Sequence, residues 1–263
     1  MSASAITAME TFERDGFVVF PDVLDAGTIV ELQAHVEWLD RHHPAERPEL
    51  YDHGRIADDP FWHRIVSDPR LLDIAAQFIG PDIALFASQY IIKPPRTGQA
   101  VLLHQDASYW PLDPMQVVSL WVAVDDADAE NGCLRVLPGT HKMAVQPRRA
   151  RTDVDNVLSS EIAVEVDDAD AVDVVLAAGS VEVHHENIVH GSHANLSDRR
   201  RAGLTIRYIP TTTTIDYERI QHTSWPSAFL LRGHAVPGIN QYQPRPTYVA
   251  DQHLPFAGCE DYA

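Results

Sequence analysis

Apolar residues recur every three to four positions through much of the first 80 residues, which is the spacing of amphipathic helices. In the longest such segment Ile29, Leu32, Val36 and Leu39 follow Asp25, and aspartate is a residue type that caps helix N-termini. The predicted helices are residues 8–15, a segment from Asp25 to the break at 41–44, and residues 61–66 and 69–78. A short strand is predicted at residues 17–21.

From residue 82 onward the pattern changes to short β-branched segments separated by turn residues, which predicts strands. The predicted strands are residues 83–93, 101–106, 117–124, 132–137, 171–176, 180–184 and 202–209. The chain is therefore expected to be mainly β with flanking helices. A jelly roll of two small sheets, with its mouth open to a ligand, is an architecture that such strands permit.

A single domain is expected over residues 1–263, because one β-barrel or sandwich commonly reaches about 200–250 residues. We divide it into a helical part at about 1–80, a jelly-roll core at about 82–210 and a C-terminal extension at 211–263. Residues 44–60 are polar, contain proline and lack a clear period, which predicts a surface loop. That loop could also cover the mouth of a binding site, and the sequence does not decide between the two.

Composition and charge narrow the classes of partner. Hydrophobic residues make up 45% of the chain and charged residues 22%, which is an ordinary globular balance. The net charge of −18 disfavours nucleic acid and anionic membrane surfaces, which bind clustered lysine and arginine. A small-molecule substrate is therefore favoured, and no obligate protein partner is evident.

Cysteine content and targeting signals indicate the compartment. Cys133 and Cys259 are far apart and form no CxxC motif, so a disulfide framework or thiolate zinc site has no support. The N-terminus carries no secretory leader pattern, and no segment approaches the roughly 20 apolar residues of a membrane span. We expect a cytoplasmic protein.

His104 and Asp106 are the first candidates for chemistry, because they lie two positions apart beside strand-like residues. Residues i and i+2 of a strand share one face, so these two side chains would converge. An imidazole and a carboxylate are two of the three ligands of the facial triad that holds non-haem Fe(II). For this pair alone, a surface aspartate beside a structural histidine is the alternative interpretation.

A third ligand would have to come from elsewhere in the chain, and spacing alone does not choose it. The candidates are His184, His185, His190 and His193. After these histidines, Arg201 begins a strand-like segment. A guanidinium presents a planar fork that binds a carboxylate through two hydrogen bonds. Together these residues indicate a metal ligand and an anion clamp.

Several short motifs, taken in order, resemble the phytanoyl-CoA dioxygenase family of Fe(II)- and 2-oxoglutarate-dependent oxygenases. They are Ile92-Lys93-Pro94-Pro95, His104-Gln105-Asp106, Ser119-Leu120-Trp121, Asn131-Gly132-Cys133-Leu134, Leu137-Pro138-Gly139-Thr140-His141-Lys142, and His190-Gly191-Ser192 followed by Arg201. Each motif is weak alone, but together they span most of the chain. The resemblance implies a cupin-like double-stranded β-helix, with Fe(II), 2-oxoglutarate as co-substrate, and O2.

The position of His190 in the family's order of motifs implies that it is the third metal ligand beside His104 and Asp106. His184 and His185 are then strand residues or residues that orient the ligands. It also selects Arg201 over Arg199 and Arg200 as the partner of the distal carboxylate of 2-oxoglutarate.

The resemblance implies further contacts to the co-substrate. Ser192 could add a hydroxyl donor, Lys93 would reach the co-substrate, and Trp121 would form a wall of its pocket. The alternatives are an exposed strand-end lysine and plain core packing of the tryptophan.

The substrate side is assigned from position in the chain. Tyr109 and Trp110 directly follow the His104-Gln105-Asp106 motif, and Arg207 shares the inward parity of Arg201 if no bulge intervenes. An inward cation would suit a carboxylate or phosphate of the substrate, or it would form a buried ion pair with a nearby acidic residue.

The implied activity is oxidation of an unactivated C–H bond of a small molecule, with release of succinate and CO2. Hydroxylation in secondary metabolism is the preferred interpretation, and desaturation, epoxidation and cyclisation remain open. A long basic surface for the phosphates of an acyl-CoA is not evident with only 20 Lys and Arg residues. The alternative function is a non-catalytic or differently metallated β-barrel that binds a ligand.

Overall fold

Four helices near the N-terminus precede and cover a core of β-sheet. The computed structural model describes residues 3–48, 51, 58–220 and 228–263. Within them the helices are α1 (Ala3–Asp15), α2 (Ala26–His42), α3 (Pro60–Val66) and α4 (Pro69–Ile79). The helices predicted from the spacing of apolar residues are confirmed. Of the predicted loop at 44–60, residues 49, 50 and 52–57 lie outside the described part of the chain.

Local interactions fix the helix ends. Asp25 caps α2 by accepting a hydrogen bond from the backbone N–H of Thr28 at 3.0 Å. Asp59 and Asp68 cap α3 and α4 in the same way, and each is followed by a proline at the first helical position. Helix α4 ends at Gly80, whose φ of 85° lies in the left-handed region that glycine adopts without strain.

The strands follow one another from residue 83 onward, apart from the first. They are β1 (Phe17–Phe20), β2 (Ile83–Lys93), β3 (Val101–His104), β4 (Leu112–Asp113), β5 (Val118–Ala123), β6 (Leu134–Val136), β7 (Arg148–Ala150), β8 (Ser160–Ile162), β9 (Val172–Val174), β10 (Val181–His185), β11 (His190–Ser192), β12 (Arg201–Pro210), β13 (Thr214–Ile215) and β14 (Phe229–Arg232). The expected mainly β class is confirmed.

The strands form two principal antiparallel sheets. A six-stranded sheet has the order β1-β10-β5-β12-β2-β14, and a four-stranded sheet has the order β3-β11-β6-β9. Two short pairs, β13-β4 and β7-β8, accompany them. Because one cavity is lined by residues of both principal sheets, the sheets face each other as in a jelly roll. Strands β1 and β14 form the two edges of the larger sheet.

Alternation along the six-stranded sheet divides its side chains between two buried faces. On the outer face Leu120, Val183 and Leu204 pack with Leu32 and Leu72 beneath the helices. Their neighbours in sequence therefore point toward the four-stranded sheet. Because both faces are covered, polar residues at inner positions are held inside the protein. Among the described residues, none of the helices has the length and apolar character that a membrane crossing would require.

Candidate metal centre and its cavity

A cavity lies between the two principal sheets. Its apolar walls include Ile91, Val101, Trp110, Trp121, Leu134 and Leu158. Its polar residues are grouped, with histidine and carboxylate side chains together in one cluster and Arg201, Thr205 and Arg207 in a row on β12 of the six-stranded sheet. Such a lining is typical of sites that bind small molecules.

Three of the predicted residues converge on this cavity, and we call His104, Asp106 and His190 the His–Asp–His cluster. Their ligand atoms all lie within 4.8 Å of one another. Oδ1 of Asp106 is 3.4 Å from Nε2 of His104 and 4.0 Å from Nε2 of His190. Each side chain is buried, with at most 6% of the residue exposed.

The backbone explains why the two histidines meet. Strands β3 and β11 are antiparallel, and His104 and His190 are direct cross-strand partners. In each ring Nδ1 faces a backbone carbonyl, that of Leu102 at 2.8 Å and that of Ile188 at 3.1 Å. A carbonyl can only accept, so each Nδ1 carries the hydrogen of the neutral ring and each Nε2 presents a lone pair.

Electrostatics keep the cluster in the protonation state that metal ligation requires. Burial alone would raise the pKa of Asp106, but Arg207 and the neighbouring histidines hold it well below its usual range. Burial, followed by repulsion from His104 and His184, holds the pKa of His190 well below its usual range. A buried carboxylate and a neutral imidazole are therefore available, which fits the donor set of a non-haem Fe(II) site.

The four candidate histidines, which spacing along the sequence could not distinguish, differ in where their side chains point. His184 lies close to the cluster, with Nε2 3.8 Å from Oδ2 of Asp106, but its Nδ1 contacts Glu182 at 2.7 Å. His185, the next residue of β10, packs instead against the rings of Phe12 and His141. His193 approaches Lys93 through its backbone carbonyl. Only His190 joins His104 and Asp106 within the part of the chain that the structure describes.

Arg201 is a buried guanidinium without an acidic partner among the described residues. Its Nε donates to the carbonyl of Gly132 and its Nη1 to that of Ile91, each at 3.0 Å. Burial lowers its pKa to about 10, so it remains charged at neutral pH. A buried cation of this kind calls for an anionic ligand, since an isolated charge is costly in a protein interior.

The two competing arginines are engaged elsewhere. Arg199 forms an ion pair with Asp128 at 2.6 Å and is half exposed. Arg200 forms two hydrogen bonds with Asp125, at 2.8 and 2.9 Å. Of the three consecutive arginines, only Arg201 lines the cavity.

Lys93 lies directly across from Arg201 in the pairing of β2 with β12. Its side chain is fully buried and its Nζ donates to Oγ of Ser192 at 2.7 Å. An exposed strand-end lysine, the alternative interpretation, is therefore not what the structure shows. Lys93, Ser192 and Arg201 form a polar group beside the cavity.

Trp121 forms a wall of the cavity, and Gly203 gives it room. A Cβ atom at Gly203 would lie 2.2 Å from Cζ2 of the Trp121 ring, so no larger residue fits there without movement. The guanidinium of Arg201 stands 5.4 Å from the centroid of the same ring. The tryptophan thus packs against the arginine while it faces the cavity.

The substrate-side candidates also line the cavity. The ring of Tyr109 meets that of His104 edge-on at 5.9 Å, and its hydroxyl contacts Oγ of Ser160 at 2.8 Å. The guanidinium of Arg207 stands 5.6 Å from the centroid of the Trp110 ring. Arg207 faces inward like Arg201, since the bulge between β12 and β2 comes only after it. Its Nη2 is 3.5 Å from Oδ2 of Asp106, so the buried ion pair considered from the sequence is present.

Three features of the site differ from what the sequence predicts. The strand predicted at 101–106 ends at His104, and Asp106 begins a short 3₁₀ turn. Strict alternation would place Leu102 on the face of His104, but a register shift between β3 and β11 breaks the alternation and Val101 lines the cavity instead. Glu182 was not predicted at all, although it is completely buried beside His184.

The chain is similar to known proteins in both sequence and fold. The sequence model of the phytanoyl-CoA dioxygenase family matches residues 12–203. "Phytanoyl-CoA dioxygenase domain-containing protein 1" of Bos taurus is 33% identical over 168 residues, which cover 62% of this chain and 57% of that protein. The chain thus aligns with little more than half the length of that relative. L-proline trans-4-hydroxylase of Streptomyces griseoviridis is 26% identical and covers 81% of this chain and 90% of its own.

A solved structure extends the likeness to the fold. The non-haem monooxygenase ThoJ, in its apo form, has a TM-score of 0.74 and 30% sequence identity, over 90% of this chain and 87% of its own. The two-sheet architecture described above is therefore that of a known oxygenase. Since the family model matches most of the residues, from α1 to the strand that carries Arg201, the chain belongs to the phytanoyl-CoA dioxygenase family.

Proposed function

We propose that this protein is an Fe(II)- and 2-oxoglutarate-dependent oxygenase that oxidises an unactivated C–H bond of a small molecule, by hydroxylation, in secondary metabolism. The observation that carries the proposal is the pairing, in one cavity, of the His–Asp–His cluster with a buried arginine that lacks an acidic partner among the described residues. The first fits a metal with open coordination positions, and the second fits a carboxylate ligand.

The metal would be held by Nε2 of His104, Oδ1 of Asp106 and Nε2 of His190. With 2-oxoglutarate and O2 bound, such a centre would supply the oxidising chemistry that removes a hydrogen atom from a C–H bond, with succinate and CO2 as the co-products. The chain contributes the rest. Backbone carbonyls fix the imidazole tautomers, and burial excludes bulk water.

The co-substrate would be oriented by the polar group beside the cavity. Arg201, already anchored by two carbonyls, would bind the distal carboxylate through its remaining N–H groups. Lys93 and the hydroxyl of Ser192 add a second cation and a donor close by. The Trp121 ring would cover one side of the ligand.

The substrate would occupy the part of the cavity lined by Tyr109, Trp110 and Arg207. Aromatic walls with a single cation suit a small, mostly apolar metabolite with one polar group. The named activity of the Streptomyces relative is the hydroxylation of an amino acid, which supports a substrate of this size. A net charge of −18 and only 20 Lys and Arg residues disfavour an acyl-CoA, whose phosphates require a basic surface.

A non-catalytic or differently metallated barrel is the rival function, and oxygen-dependent succinate formation separates the two. The protein is reconstituted with Fe(II) without oxygen and then given 2-oxoglutarate and air, with the triple alanine variant of the His–Asp–His cluster as control. We expect succinate from the wild type alone, and more of it with a true substrate in a screen of candidate metabolites. If the control produces succinate at the wild-type rate, the proposed function is wrong.

A further inference from the structure

The two carboxylate oxygens of Asp106 face different groups. Oδ1 faces Nε2 of His104 at 3.4 Å and Nε2 of His190 at 4.0 Å. Oδ2 is turned the opposite way, toward Nη2 of Arg207 at 3.5 Å and Nε2 of His184 at 3.8 Å. One oxygen therefore belongs to the His–Asp–His cluster, and the other belongs to a second group on the six-stranded sheet.

The six-stranded sheet holds this second group rigidly. Arg207 of β12 is the cross-strand partner of Ser119 of β5, and Ser119 is in turn the partner of His184 of β10. All three residues are buried, with at most 8% of each exposed. Because the middle residue is small, the two long side chains on either side of it can both reach the same oxygen of Asp106.

Glu182 anchors the imidazole of His184 from behind. It lies two positions earlier on the same face of β10, has no exposed surface, and places Oε2 2.7 Å from Nδ1 of His184. One hydrogen must lie between these atoms. If His184 is an imidazolium that donates from Nδ1, its Nε2 also carries a hydrogen. If Glu182 is instead a neutral carboxylic acid that donates to Nδ1, the neutral ring carries its only hydrogen on Nε2.

A third arrangement is disfavoured by the surroundings. A neutral ring with its hydrogen on Nδ1 would turn a lone pair toward Oδ2 of Asp106 and leave two carboxylates buried on either side of it. Nε2 of His184 therefore presents an N–H to the carboxylate. It is buried and has no hydrogen-bond partner within the described part of the chain. The 3.8 Å separation is only slightly beyond the ~2.7–3.2 Å of a hydrogen bond, so a small rotation of the carboxylate would close it.

We propose that Glu182 and His184 are positioning residues that, together with Arg207, hold Oδ2 of Asp106 away from the metal, so that Asp106 ligates through Oδ1 alone. This inference rests on the proposed function and deepens it. A carboxylate that chelated through both oxygens would occupy a coordination position needed by 2-oxoglutarate or O2. Groups that hydrogen-bond to metal ligands commonly change metal affinity by about 10–100-fold.

The test compares metal binding with folding. Co(II) is titrated without oxygen into the wild type and into the double variant Glu182→Leu/His184→Leu, and the intensity of its visible absorption reports coordination number. We expect about 10–100-fold weaker Co(II) binding and a changed spectrum in the double variant. Its metal-free stability in urea should stay the same or rise, because replacing a buried polar pair by apolar residues is often neutral or stabilising.

Two further variants make the result specific. Glu182→Gln can donate its amide N–H to Nδ1 of His184 and so leave the hydrogen of the neutral ring on Nε2, so this variant should retain most of the affinity. His185→Leu changes the neighbouring histidine, which packs away from the cluster, and should bind Co(II) like the wild type. A double variant with wild-type affinity and spectrum would overturn the positioning role alone. Absence of Co(II) binding by the wild type would overturn the proposed function and this inference with it.

Discussion

Replacing Arg201 with lysine keeps a positive charge beside the cavity but removes the planar fork. The guanidinium already donates to the carbonyls of Gly132 and Ile91, which leaves its other N–H groups directed away from these contacts. A lysine has a single ammonium and cannot make both anchoring bonds while it binds both oxygens of a carboxylate. We therefore expect Arg201→Lys to weaken 2-oxoglutarate binding while Fe(II) binding, which uses other residues, is kept.

The size of the effect follows from the hydrogen bonds that are lost. A hydrogen bond to a charged group contributes about 1.5–3 kcal/mol, and lysine would keep at most one of the two that the fork makes. Since about 1.4 kcal/mol corresponds to a tenfold change, the dissociation constant of 2-oxoglutarate should rise by roughly 10–100-fold.

Anaerobic titration of 2-oxoglutarate into the Fe(II)-loaded protein, followed by the metal-to-ligand charge-transfer band, measures this constant. Arg200→Lys is the matched control, because Arg200 is the adjacent residue but is engaged with Asp125. Its 2-oxoglutarate affinity should equal that of the wild type. Unchanged affinity in Arg201→Lys, or an equal loss in Arg200→Lys, would refute the assignment and move the clamp to another cation.

Three further outcomes are expected. The triple alanine variant of the His–Asp–His cluster should retain no stoichiometric iron after anaerobic reconstitution, and retention would disprove the ligand assignment. Gly203→Ala should lower the free energy of unfolding in urea by about 1–3 kcal/mol, because its Cβ would lie 2.2 Å from the Trp121 ring; wild-type stability would contradict this. Burial, and after it the charge of Arg245, lowers the pKa of His63 in the folded protein to about 4 from its ordinary value of 6.5. As the pH falls below 6.5, the unfolded chain therefore binds a proton that the folded chain does not yet bind. The free energy of unfolding should then decrease by up to roughly 3 kcal/mol between pH 6.5 and 4, and His63→Gln should flatten that slope.

The helices could be predicted from sequence because their determinants are local. The apolar spacing of α2 and the carboxylate of Asp25 both act within a few residues. Strand ends are different, because a strand extends only as far as its partner pairs with it. The predicted strand at 132–137 is reduced to β6, which pairs with β11 and β9 over a shorter stretch. Strand β14, which no pattern indicated, exists through its pairing with β2.

The site was predicted in part for the same reason. His104 and Asp106 are close in sequence, so their convergence could be inferred, although a turn and not a continuous strand produces it. Choosing among four nearby histidines required family register, since direction depends on distant strands. Glu182 was missed because a charged residue between two valines resembles the exposed face of a half-buried strand. In this sheet both faces are covered, so the same pattern places the charge inside.

Strand β14 has a practical consequence for any attempt to shorten the protein. A chain that ended at residue 210 would retain the His–Asp–His cluster, Arg201 and the cavity walls. It would lose the strand that pairs with residues 83–85 of β2, and so it would expose unpaired backbone groups along that side of the sheet. Exposed strand edges pair readily with other chains. Such a truncated protein is expected to self-associate, so the C-terminal segment protects an edge of the larger sheet as well as packing against Trp110 of the cavity wall.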